Sequence, residues 1–362
     1  MNLNYRRLKM PMKSPFTTSF GTSWIKDVLV FHLENDGINA YSECITNESP
    51  FYGPEDNFTS LHIIKEFISE PVKKLPRPCE YNEAIGFVKG NNMAKAAMEM
   101  LLFDYHSKVE NIALDKYLDK ESKNRADVGI SIGMNQIDVT LKKIEESVKE
   151  GYKRIKVKIK KGEERNILSS VRDSFPEIKL SADANCDFTE KDFELLTSLD
   201  RYELEYLEQP LYHDDLLFHS KLSKKMETPI CLDESIVSPK LAENALEMEA
   251  CNIINIKPGR VGGLFNSMEI ARITREFGGH CWVGGMLETG IGRSFNIAFA
   301  SSSRVDFPGD SSPNDRYFQK DIVTNPFIME NGTIVPNKQD GIGVTIDRTA
   351  LEKYTVEKGV IF

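Results

Sequence analysis

The chain has 362 residues, with 46 Lys+Arg against 55 Asp+Glu and a formal net charge of -9 at pH 7. That length accommodates two domains or one large barrel with an elaboration, and the acidic balance argues against a nucleic-acid surface. No apolar run approaches the ~20 residues needed to span a membrane, and the start, MNLNYRRLKMPMK, lacks the apolar core of a signal peptide, so a mature cytoplasmic chain is expected.

In chain order, VLVFHLENDGINAYSEC reads as a β-hairpin turning at Asn35-Asp36-Gly37. Helical patterns follow at 57–70 and, most strongly, at 92–108. Residues 1–125 therefore form an α+β region. From about residue 128 the pattern changes. Short apolar runs that end in polar residues recur at 128–133, 154–159, 179–185, 204–210, 230–235, 252–258, 280–285 and, less clearly, 305–309. Helical patterns fill most of the gaps, at 137–150, 162–174, 189–199, 213–226, 238–248 and 263–277. Eight strands alternating with helices predict an α/β parallel barrel over 126–319. The tail, 320–362, is hairpin-like around Asn331-Gly332 and is expected to return to the first region. No stretch matches a dinucleotide fingerprint or a P-loop. The six cysteines contain no C-x-x-C pair and the six histidines no H-x-H or H-E-x-x-H pattern, so reduced thiols are expected and a zinc site is not.

RIKVKIKKG (154–162) alternates apolar and cationic residues, which puts Lys156, Lys158 and Lys160 on one face of a strand. Taken alone, that is a solvated edge guarded by lysine. The spacing of the other charges changes the reading. Lys158, Asp183, Glu208 and Asp233 follow one another at intervals of 25 residues, and Lys257 comes 24 later. One barrel unit separates each from the next, so all five are expected at equivalent strand ends, at the mouth where barrel active sites lie. Three clustered carboxylates repel one another unless a cation sits among them. Hard oxygen donors select Mg²⁺, with Mn²⁺ as the other candidate. Lys156 and Lys160 have separate expectations: Lys156 lowers the pKa of Lys158, and Lys160 lies beyond the strand in solvent.

With KVK (156–158), DAN (183–185), LEQP (207–210), DES (233–235) and KPGRVGG (257–263) in this order, the chain resembles the enolase superfamily, in its muconate-lactonising subgroup. It is most similar there to the o-succinylbenzoate synthase / N-succinylamino acid racemase family, through PFTTSFGT, ESPFYGPE, GGMLETGIGR and FPGDSSPNDRYF as well. The resemblance covers nearly the whole chain. It implies a modified (β/α)7β barrel under an α+β capping domain that the C-terminal tail rejoins. It implies Mg²⁺ on Asp183, Glu208 and Asp233, with Asn185 beside it, Lys158 as the principal acid/base and Lys257 on the opposite face of the substrate. Arg260 accompanies racemase ability in this family. The resemblance therefore allows dehydration to o-succinylbenzoate in menaquinone synthesis, ranked first, and racemisation of N-acylamino acids. A barrel kept only for binding is disfavoured because every expected ligand and both lysines are present. Asp306 and Asp310 lie too far apart for the D-x-D of dipeptide epimerases. Phe20, Phe51 and Tyr52 in cap loops, Ser131 and Gly133 on the first barrel strand, and Gly285 with Met286 on the seventh are the expected substrate-binding residues. The expected partner is a small-molecule carboxylate, and the expected assembly a homo-oligomer.

Overall fold

The computed structural model describes residues 1–18 and 21–362. An antiparallel sheet opens the chain: β1 (Asn2–Thr18), β2 (Gly21–Asn35) and β3 (Ile38–Cys44). Asn35 pairs directly with Ile38, and Asp36 and Gly37 take φ of 50 and 80. That is the two-residue turn the Asn-Asp-Gly stretch predicts, since both central residues must enter the left-handed region. The helix Asn92–Val109 packs on this sheet through Ala94, Ala97, Met98, Leu101 and Leu102, all buried. The 57–70 pattern becomes a helix over Asn57–Ile63 capped by Asp56, which continues through a wider turn over Ile64–Ile68.

After the short β4 (Ala126–Asp127), the barrel strands follow: β5 (Ile130–Ile132), β6 (Ile155–Lys158), β7 (Leu180–Asp183), β8 (Leu207–Glu208), β9 (Ile230–Leu232), β10 (Ile253–Ile256) and β11 (His280–Val283). They form one parallel sheet in which each strand pairs with its neighbours in sequence. This is the layout produced when helices such as Ile137–Lys149, Glu164–Ser174 and Leu264–Glu276 cross over the outside. The eighth run, 305–309, is not a regular strand but still closes the barrel. The Asp310 amide donates to the Val283 carbonyl, the Gly129 amide donates to the Gly309 carbonyl, and the Gly309 amide donates to the Asp127 carbonyl. Pro308 lies in that segment and carries no amide hydrogen, which breaks a regular ladder there.

The end of the tail joins the cap, where β14 (Thr355–Val360) pairs antiparallel with β1, but its hairpin of β12 (Met329–Glu330) and β13 (Thr333–Ile334) pairs instead with β4 at the start of the barrel. A second junction is polar. Glu99, fully buried on the long cap helix, accepts from Asn82 Nδ2 at 2.7 Å and from the amide of Phe265, on a barrel helix, at 3.3 Å. A side chain at Gly263 would collide with that carboxylate. The helix Gly290–Ala300 has no counterpart among the sequence patterns. Every one of its residues is buried, so it carries no polar stripe from which a helical period could be read. All six cysteines are free, and among the described residues no helix is long and apolar enough to cross a membrane.

Candidate active site

Strand parity builds the site. Arg154, Lys156 and Lys158 alternate with Ile155 and Val157 along β6, so the three basic residues face the barrel interior while the apolar ones face the surrounding helices. The floor of the interior is aromatic. Tyr206 and Trp282 stack at 6.0 Å, with Arg154 lying 4.9 Å over the Trp282 ring. The Arg154 guanidinium would lie only 2.7 Å from a Cβ at position 129, which is why that residue is glycine. Lys156 sits one layer higher, 4.5 Å above the Trp282 ring.

The five spaced charges meet at the mouth, but not at one height. Lys158, Asp183 and Glu208 are direct register partners. Glu208, however, pairs with Cys231, so Asp233 stands two residues further along its strand, level with Asn255, and Lys257 is higher again. Equal spacing in the sequence concealed this climb, which follows from the shear of a closed barrel.

The contacts are ionic and buried. Lys158 Nζ donates to Asp183 Oδ2 and to Asn185 Oδ1, each at 2.5 Å. Lys156 Nζ donates to Glu208 Oε2 at 2.7 Å and lies 3.0 Å from Asp310 Oδ2 and 3.5 Å from Asp183 Oδ2. Across the mouth, Lys257 Nζ donates to Asp233 Oδ2 at 2.7 Å and to the Tyr52 hydroxyl at 2.6 Å. Arg260 bonds both Asp233 and Tyr52. Burial works against the Lys156 ammonium, yet Asp310, Glu208 and Asp183 outweigh it and hold its pKa well above the ordinary value. Burial likewise opposes the ionised forms of Asp183 and Asp233. Lys158 and Lys156 hold the first below the usual carboxylate range, and Arg260 and Lys257 hold the second at about 2. Glu208 goes the other way: burial, followed by the charges of Asp183 and Asp233, pushes it up to about 7.

Among the described residues, no three His, Cys, Asp or Glu side chains have their donor atoms gathered as a metal cage. The carboxylates are turned onto lysine and arginine instead. The donor set nevertheless fits a hard divalent cation. Three buried carboxylates stand at neighbouring strand ends, and two further acceptors, Glu234 Oε2 and Asn255 Oδ1, have no hydrogen-bond donor among the described residues. Burying two acceptors without donors beside three carboxylates is costly unless a cation serves them.

The other expected residues divide. Tyr52 reaches the site from the cap, whereas Phe51 is 77% exposed and points elsewhere. Phe20 lies outside the described residues. Ser131 faces inward level with Lys156, its buried Oγ without a partner among the described residues. Gly133 lines a cavity that Lys158 also borders. Gly285 is turned from the interior: a side chain there would meet the Asp310 carbonyl at 2.7 Å. Gly284 is the inward position, since a Cβ there would collide with Asn255 and lie 2.9 Å from Lys257 Cε. Met286 is held in the next loop, its carbonyl accepting from the buried Lys26 at 3.1 Å and its amide donating to Glu288 at 2.7 Å.

Three supporting residues escaped the sequence reading. Asn255 donates to Glu208 Oε1 at 2.8 Å, and its position two residues before Lys257 on the same strand face could have revealed it. Gln209, in the left-handed region at φ 39, accepts from the Asp233 amide at 2.9 Å. Glu234 accepts from Asn185 Nδ2 at 2.9 Å.

Comparison with known proteins agrees with this architecture. The family model described as mandelate racemase / muconate lactonizing enzyme, N-terminal domain, matches residues 3–118, and that described as enolase C-terminal domain-like matches residues 140–350. The chain belongs to this family. Among its relatives, the o-succinylbenzoate synthase of Geobacillus kaustophilus is 41% identical over 98% of this chain and 96% of that protein. The N-succinylamino acid racemase of Thermus thermophilus is 36% identical over 97% of this chain and 96% of that protein. A solved member of the enolase superfamily from Listeria innocua superposes with a TM-score of 0.95 at 37% identity, covering 100% of this chain and 98% of the other. Enolase-superfamily enzymes generally depend on a divalent metal.

Proposed function

We propose that this protein is an o-succinylbenzoate synthase that dehydrates 2-succinyl-6-hydroxy-2,4-cyclohexadiene-1-carboxylate. One observation carries the reading: two lysine side chains flank a trio of buried carboxylates at the barrel mouth, Lys158 on Asp183 and Lys257 on Asp233. Full-length relatives at 36–41% identity named for this activity support it.

Asp183, Glu208 and Asp233 would hold Mg²⁺, with Mn²⁺ as the substitute. A bound divalent ion supplies fixed positive charge where negative charge develops on the substrate carboxylate. Lys158, in its neutral form, takes the proton from the carbon bearing that carboxylate. The resulting ammonium then gives a proton to the departing hydroxyl, which leaves as water, so one side chain serves both halves of a syn elimination. Lys257 stays an ammonium on the other side of the substrate and stabilises the same developing charge. Lys156 remains a cation below them and balances Glu208 and Asp310. Tyr52, tied to Lys257 and Arg260, closes the mouth from the cap and limits access of water.

The second reading is racemisation of N-succinylamino acids, favoured by the placement of Lys257 opposite Lys158 and by Arg260 on Asp233. Two assays on one preparation separate the readings: ultraviolet loss of the cyclohexadiene, and loss of optical rotation of an N-succinylamino acid. Loss of rotation alone would overturn the synthase reading. A cytoplasmic homo-oligomer belongs to the same proposal, and sedimentation of the native protein reports its assembly state.

A further inference from the structure

The third lysine of the alternating run lies beyond β6 and is exposed, as expected, but it also borders a cavity. Lys160 lies on the rim of a cavity of about 550 Å³ between the loop after β5 and the loop after β6, and Lys158 lines the same cavity. The floor is apolar, formed by Val157, Ile137 and Ile167. Above it, among the described residues, Lys160 makes no ion pair, and the side-chain amides of Gln136 and Asn166 make no hydrogen bond. Among the described residues, Glu163 is the only acid on the lining; it is exposed and makes no ion pair. An apolar floor with an unengaged cation and two unengaged amides at its rim suits a short alkyl chain that ends in an anion.

Both candidate substrates carry such a chain. In each, a succinyl carboxylate lies the same number of bonds from the carbon that loses its proton. We propose that this cavity receives the succinyl arm, with the two methylene groups over Val157 and Ile167 and the terminal carboxylate on Lys160. The inference rests on the proposed reaction and adds its specificity determinant. Lys158 would hold the reacting carbon at the inner end, and Lys160 the remote carboxylate at the outer end. Glu163 would weaken that attachment by repulsion, so the two residues should act with opposite sign.

The test compares N-succinyl and N-acetyl derivatives of one amino acid, and the cyclohexadiene substrate, with wild type, Lys160→Gln, Lys160→Arg and Glu163→Gln. In Lys160→Gln the ratio of kcat/KM for the N-succinyl over the N-acetyl compound falls about twofold to fivefold, through KM, because one ion pair on an exposed lysine is lost. Lys160→Arg restores most of the ratio, and Glu163→Gln raises it. For the cyclohexadiene, KM rises in Lys160→Gln by a similar factor. A ratio unchanged in both Lys160→Gln and Glu163→Gln, in an enzyme that turns over the succinyl substrates, overturns this inference and leaves the proposed function standing. A wild-type protein that acts on no succinyl substrate overturns the proposed function itself.

Discussion

Glu99 offers the most direct quantitative check on how the cap is fastened to the barrel. Its carboxyl is fully buried between the two, with Asn82 and the Phe265 amide as donors. Burial outweighs those donors and raises its pKa from 4.5 to about 7. A carboxyl that keeps its proton longer in the folded state than in the unfolded state stabilises folding only while it is protonated. The folded form is therefore favoured below about pH 4.5 and loses stability as pH rises towards 7, after which the loss is complete. One pKa unit is about 1.4 kcal/mol, so the full loss is about 3 kcal/mol. Glu99→Gln stays neutral throughout and should lack it. Glu43 and Glu208 are also pushed up to about 7, so the wild-type curve alone is insufficient and the difference between proteins is the measurement. Urea unfolding of both proteins at about pH 5 and about pH 8 should show the variant gaining roughly 2–3 kcal/mol relative to wild type between the two. Any lost hydrogen-bond geometry shifts both pH values alike and cancels. Parallel pH curves for the two proteins would refute the assignment of a buried, protonated Glu99 to the junction.

The remaining predictions concern the mouth. Lys158→Ala should lower both dehydration and racemisation by about a hundredfold to ten-thousandfold, since dehydration uses this side chain for both proton transfers and racemisation needs a lysine on each face; steady-state turnover near wild type would remove Lys158 from its role. Asp233→Asn should weaken Mg²⁺ binding at least about tenfold, about 1.4 kcal/mol, as read by titration calorimetry on metal-free protein, and unchanged affinity would count against the proposed ligand set. Gly284→Ala should reduce kcat on the order of a hundredfold, because the added methyl displaces Lys257 and Asn255. A fully active Gly284→Ala would mean that the seventh strand does not face the site as described.

The sequence alone carried the fold class and the identity of the charged groups. A repeated unit fixes a parallel barrel because each short strand must bury both faces and each crossover helix must cover one of them. Residues one unit apart must then gather at the same rim. The Asn-Asp-Gly turn, the strand parity of Lys156 and Lys158, and the return of the tail's end to the cap were legible for similarly local reasons. What the sequence could not carry was register and parity beyond a strand's end. Equal spacing concealed the climb from Glu208 to Asp233, because shear is a property of the closed sheet and not of any one strand. Gly285 and Gly284 are indistinguishable until the barrel shows which one faces Lys257. Phe51 and Tyr52 are adjacent aromatics in one loop, yet packing sends one to solvent and the other onto Lys257 and Arg260. The helix Gly290–Ala300 was invisible because complete burial erases the alternation on which such readings depend. Lys160, read from the sequence as a solvated end, acquires a neighbourhood only when two loops far apart in the chain enclose a cavity beside it.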